Sequence, residues 1–182
     1  AANLGARVVW MPTFSAVNSR AKISKVMGIE LEGEGLTILT EKGELIPEIG
    51  PILSLIKEYD MVLASGHLSP EETMSLFQAA LDSGISKLVV THASETAAVD
   101  RSLSLKQLQE LAGKGVFIEY TFLGFLPNTF KHDPAILVEA IRNVGADLIV
   151  MSTDLGQIQN PVPVEGMRML IATLLAEGVP RN

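Results

Sequence analysis

The sequence predicts an α/β protein built on a parallel sheet of five strands, and three observations carry that prediction. Short apolar runs at residues 7–11, 61–64, 88–90, 116–121 and 147–152 recur between helical patterns, the last four at βα-unit spacing, which implies parallel pairing through right-handed crossovers. The runs show no polar alternation, the mark of strands buried on both faces beneath helices. Three of them also end alike: Ser65-Gly66-His67 in the segment 61–69, Thr91-His92 in 87–94 and Ser152-Thr153-Asp154 in 148–156. Polar residues so placed lie at the carboxyl edge of the sheet, where α/β proteins bind ligands whether the sheet is open or closed into a barrel.

The 182 residues, 47% of them hydrophobic, suffice for one domain with a substantial core. A net charge of -7, with 14 Lys and Arg that form no basic run, argues against a nucleic-acid surface. Cysteine is absent, so any metal must be held by His, Asp or Glu. No apolar stretch reaches the roughly 18–20 residues that span a bilayer, and Ala1-Ala2-Asn3-Leu4-Gly5 lacks the regions of a signal peptide. The expectation is a soluble, cytoplasmic protein without membrane or nucleic-acid partners.

In chain order, Arg7-Val8-Val9-Trp10-Met11 is a core strand closed by Pro12-Thr13, and a polar stretch follows to Lys25. Leu36-Thr37-Ile38-Leu39 and Glu44-Leu45-Ile46 flank Glu41-Lys42-Gly43, which reads as a hairpin within an insertion at 28–47. A helix to about Glu58 is expected to bury Ile52, Leu55 and Ile56. Ser69-Pro70-Glu71-Glu72 opens the next helix, with Ser69 as cap and Glu72 closing a capping box; it buries Phe77, Ala80 and Leu81 and stops at Gly84. Ser104 and Gln107 open another, with Leu105, Leu108, Leu111 and Ala112 at helical spacing. Asp133-Pro134 caps a helix bearing Leu137, Ala140, Ile141 and Val144, and the last helix carries Met167, Leu170, Ile171, Leu174 and Leu175 up to Gly178.

Imidazole and carboxylate are the donors of hydrolytic zinc sites, which keep a coordination position open for water. A metal there acidifies that water and polarises a carbonyl or phosphoryl group. Two histidines and an aspartate at one edge of three strands, His67, His92 and Asp154, therefore point to a divalent ion, zinc by donor type. Each histidine alone reads as structural or solvated, as His132 does beside Asp133.

Ser65-Gly66-His67, Val90-Thr91-His92 and Ser152-Thr153-Asp154 resemble the metal-ligand positions after the fifth, sixth and eighth strands of amidohydrolase-superfamily barrels. More closely, Ala64-Ser65-Gly66-His67-Leu68-Ser69-Pro70-Glu71-Glu72 and Thr153-Asp154-Leu155-Gly156-Gln157 with Asn160-Pro161 resemble the amidohydrolase-like family DUF6282. The resemblance implies a (β/α) TIM-barrel type of fold over 1–182, present as its C-terminal five βα units with the hairpin insertion and without the first strands. It implies His67 and His92 as metal ligands, and Asp154 as ligand or as general base. It further implies a metal-dependent hydrolase of a small carbonyl or phosphoester substrate. No His-x-His occurs, and Trp10-Met11-Pro12-Thr13 stands where binuclear members carry a bridging lysine, so lysine-bridged chemistry is not implied. Glu119, interrupting an apolar strand, reads equally as a residue supporting the site or as part of a polar layer in the barrel interior. The Phe122-Leu123-Gly124-Phe125-Leu126 loop reads as satellite core, with a pocket wall as the other reading.

A second reading is a barrel relative that binds metal or ligand without catalysis. An aldolase-type lyase would need a strand-end lysine, which no strand here has. Five strands cannot close a barrel of eight, so the expectation is self-association, or pairing with an N-terminal segment, through the open side.

Overall fold

The computed structural model describes residues 2–28, 30–93, 99–129 and 131–180. Ile29 in the insertion and Ser94, the end of the second strand-and-histidine segment, lie outside the described residues. The elements run β1 (Val8–Trp10), α1 (Val17–Met27), α2 (Ile49–Glu58), β2 (Val62–Ala64), α3 (Pro70–Asp82), β3 (Leu88–Val90), α4 (Leu105–Gly113), β4 (Phe117–Thr121), α5 (Ala135–Val144), β5 (Ile149–Ser152) and α6 (Pro163–Ala176). The strands form one sheet in the order β1-β2-β3-β4-β5, every pair parallel. The chain is thus α/β with five parallel strands.

Sequential order decides how the sheet is covered. Each crossover leads to the adjacent strand, and right-handed crossovers of that kind stack every helix on the same face. Register shows the consequence. Leu63 opposite Leu88, and Val90 opposite Ile118, point into the helical layer and are almost wholly buried. They pack with Ile56, Leu76, Phe77, Leu111, Leu137 and Leu170 in one continuous core, and each such large side chain contributes about 1.5–3 kcal/mol. The alternate residues face the other way. In that row Trp10 pairs with Ala64, Ala64 with Val89 and Val89 with Phe117, and Trp10 and Phe117 are 55% and 38% exposed. Burial on both faces, expected from the apolar runs, is therefore corrected in part: among the described residues this second face is buried at Ala64, half-buried at Val89 and open at Trp10 and Phe117.

Local signals explain three helix starts. Ser69 accepts from Glu72 N–H while the Glu72 carboxylate accepts from Ser69 N–H, the reciprocal box that starts α3. Ser104 and Gln107 do the same for α4, and the Asp133 carboxylate accepts from Ala135 N–H at the start of α5. In α2 the buried stripe is Ile49, Leu53 and Ile56, while Leu55, expected inside, is 52% exposed. In α6 Leu170 and Leu174 are buried, while Ile171 faces solvent.

The polar stretch that follows Thr13 up to Lys25, to which the sequence assigns no element, is largely the helix α1. Its N-cap Ala16 makes no side-chain cap bond, and Asn18 and Ser19 are buried on it beside Ile23, so hydrophobic periodicity had little to show. Residues 36–46 reverse direction with one antiparallel bridge, Leu39 to Leu45, closed by Thr40 N–H to the Glu44 carbonyl. This segment is pinned to the start of α3, because Glu72 Oε1 accepts from the Thr37 hydroxyl at 2.6 Å and from Ile38 N–H at 2.9 Å. The 122–126 loop is core: Phe122, Leu123 and Leu126 are buried with the main cluster. No helix among the described residues is long and apolar enough to cross a membrane.

Candidate functional site

The carboxyl ends of β2 and β3 are clamped to one another. Thr91 N–H donates to Ser65 Oγ, and Gly66 N–H donates to Thr91 Oγ1, both at 3.0 Å. The hydroxyl of each strand end thus satisfies the backbone of its neighbour, so the residues that follow, His67 and His92, are delivered side by side. Their Nε2 atoms lie 2.9 Å apart and their ring centroids 4.7 Å. The turn before His67 presses onto the end of β1, where His67 N–H donates to the Pro12 carbonyl at 3.0 Å.

Backbone conformation marks the same place. His92 has φ +27° and Asp154 φ +49°, left-handed values that side-chain-bearing residues seldom adopt. Such conformations persist where the surroundings over-determine them, and they cluster at functional sites. At His92 the surroundings are visible: its N–H donates to Glu119 Oε2 at 3.1 Å, and Ala93 N–H donates to the Glu119 carbonyl at 2.8 Å. Glu119 Oε1 in turn accepts from the Ser152 hydroxyl at 2.9 Å, two residues before Asp154. Glu119 on β4, the strand between them, therefore ties the β3 and β5 ends together.

Two residues on α1 complete the surroundings of His67, and the sequence reading passed over both. Ser19 Oγ lies 2.7 Å from His67 Nδ1, with Ser19 wholly buried. The Asn18 amide nitrogen lies within hydrogen-bonding distance of the carbonyls of His67, Leu68 and Arg101, and its oxygen accepts from Arg101 N–H. A helix whose inward residues are Asn and Ser gives no apolar signal. The only cue in the sequence was two small polar residues following Ala16.

Burial, then the neighbouring charge of His92, pushes the His67 imidazole down to about 3, so it is neutral near neutral pH. Asp154 is exposed as a residue, but partial burial of its carboxyl raises it above the usual range, an effect that His92 opposes and Glu119 reinforces. His67 thus lies within electrostatic reach of His92, and Asp154 within reach of His92 and Glu119, at the carboxyl edge. His132 is elsewhere in the chain's packing, edge-on to Phe125 with centroids 6.5 Å apart.

A metal centre can be tested against this geometry. Two nitrogens bound to one tetrahedral ion at ~2.0–2.1 Å stand about 3.3 Å from each other. The His67–His92 pair is within a few tenths of an ångström of that spacing, and His67 offers a neutral imidazole. Among the described residues, no set of three or more His, Asp or Glu side chains is close enough to share an ion. The spacing of the pair suits two corners of a centre, and no third donor among the described residues reaches the same point.

The family of unknown function DUF6282 matches residues 1–119. The matched span holds Ser19, His67, His92 and Glu119 and ends before Asp154. No curated protein matches the chain.

Proposed function

The chain belongs to the DUF6282 family, whose function is unknown, and from that premise we propose that it carries the metal-binding part of an amidohydrolase-like hydrolase acting on a small carbonyl or phosphoester substrate. The observation that carries this reading is the convergence of two imidazoles, Nε2 to Nε2 at 2.9 Å, at the carboxyl edge of a parallel sheet. The sheet itself is read as an arc of a (β/α) barrel. Sequential parallel order with one covered face and one partly open apolar face supports that reading, since a barrel wraps its helices outside and its bare face inside.

In this reading His67 and His92 hold a divalent ion, zinc by donor type, with Asp154 as a further ligand or as general base. When bound, such an ion supplies Lewis acidity and lowers the pKa of water. His67 presents Nε2 without needing to lose a proton, because burial already keeps the ring neutral. Asp154, its carboxyl raised, accepts a proton from water and holds it at a carboxylate oxygen. Glu119 keeps His92 in its left-handed conformation through the His92 N–H. A second reading, binding without catalysis, draws on the lack of a third donor within reach among the described residues.

The test pairs zinc titration calorimetry with turnover on esters, lactones, amides and phosphoesters. The expected result is one zinc per chain, lost in His67→Ala and in His92→Ala, with turnover of one substrate class. Binding without turnover would select the second reading, and a chain that takes up no divalent ion would overturn both.

A further inference from the structure

Ser19 stands in a relation to His67 that the hydrolase reading does not yet use. Its hydroxyl oxygen lies 2.7 Å from Nδ1, on the far side of the ring from the nitrogen that faces His92. A serine in contact with a histidine invites a nucleophilic role, but Ser19 has no exposed surface, so no substrate atom can approach it. What remains is orientation. A neutral imidazole carries one proton, and the partner of one nitrogen decides the state of the other.

We infer that Ser19 is a positioning residue for His67: its oxygen accepts the Nδ1–H and so keeps Nε2 bare on the side shared with His92. The inference rests on the reading of that pair as metal ligands, for which a bare Nε2 is required. The device is anchored on both sides. Asn18, the preceding residue, spans the His67, Leu68 and Arg101 backbone, so α1 is fixed to the very loop whose side chain Ser19 orients. Lys22 adds a bond to the Val99 carbonyl one turn further on. Ser19 thus meets His67 on a helix held by hydrogen bonds to the site's own backbone, which makes the 2.7 Å contact a property of the fold and not of a free rotamer.

The test is proton–nitrogen correlation spectroscopy of the imidazoles in the isotope-labelled full chain at neutral pH, with metal removed by chelation, followed by zinc titration. In the parent, His67 is expected with its proton on Nδ1. Ser19→Ala is expected to give a mixture of tautomers and to weaken zinc binding by about 10–100-fold, and Ser19→Thr to restore both. A parent His67 protonated on Nε2, or a Ser19→Ala chain with unchanged tautomer and unchanged affinity, would overturn the inference. Should Ser19→Ala fail to fold, the parent spectrum alone decides. If the parent binds no zinc, the ligand reading fails while the tautomer measurement still tests Ser19.

Discussion

Gly66 shows how much of the site is settled by a single missing atom. Its φ is +58°, and a Cβ built there would lie 2.3 Å from the Met11 carbonyl oxygen and 2.7 Å from that of Pro12. Both obstacles are backbone, which cannot swing away as a side chain would. Gly66→Ala is therefore expected to cost about 3–4 kcal/mol, combining left-handed strain with a clash that separates the β2 turn from the end of β1. Denaturant unfolding measures it; a loss within about 1 kcal/mol would mean that the two backbones do not meet so closely. At this scale the sequence was legible where a strand ends in a chemically distinctive residue. His67 and His92 stood out because each follows an apolar run and a small polar residue. The left-handed backbone of His92 and Asp154 was not legible, because only glycine announces that conformation in a sequence. Asn18 and Ser19 were missed for the opposite reason: small polar residues are common, and only the fold reveals that these two are buried against His67.

Among the elements, those with chemical punctuation were readable and α1 was not. The boxes Ser69 with Glu72 and Ser104 with Gln107 mark the starts of α3 and α4 in the sequence as they do in space. Glu72 does more than cap. Its carboxylate, 4% exposed, also receives Thr37 and Ile38, fastening the 36–46 reversal to α3. Burial by itself would raise its pKa, but the Thr37 hydroxyl and the Ser69 and Ile38 N–H groups outweigh it and hold the carboxyl below the usual range. The unfolded chain then binds the proton more readily than the folded one. The stabilisation is accordingly present above the ordinary glutamate value and is lost as pH falls through the lower, folded one. Glu72→Gln is expected to cost about 1–3 kcal/mol near neutrality, with the gap to the parent narrowing as the pH is lowered below the ordinary glutamate range. Urea unfolding across roughly pH 6 to 3 reads this. A gap that stays constant into acid would show that the Glu72 carboxylate is not the group whose charge matters.

The molecule as a whole is a sheet fully dressed on one side only. Its apolar strands were legible as strands, but the inference from unbroken apolar runs to two covered faces did not follow. Such a run records that both faces avoid water in the state for which the sequence is suited, and it does not say what covers each. Here Val8, Trp10, Val62, Val89 and Phe117 share the partly open face, which is unusual for a parallel sheet. Elsewhere Met151 on β5 and Val162, Val164, Met169 and Ile171 at and in α6 are all at least 40% exposed. Among the described residues, the outer strands β1 and β5 also each have one side without a neighbouring strand in the sheet. Unpaired edges beside a contiguous apolar face favour association, so the 182-residue chain in isolation is expected to self-associate as its concentration rises. Replacing Trp10 and Phe117 together by threonine should shift sedimentation toward the monomer. Because both side chains are already substantially exposed, 55% and 38%, the double change should leave unfolding stability within about 1 kcal/mol of the parent. A parent that sediments as a monomer at high concentration, or a double variant that associates as strongly as the parent, would show that this face is not what draws the chains together.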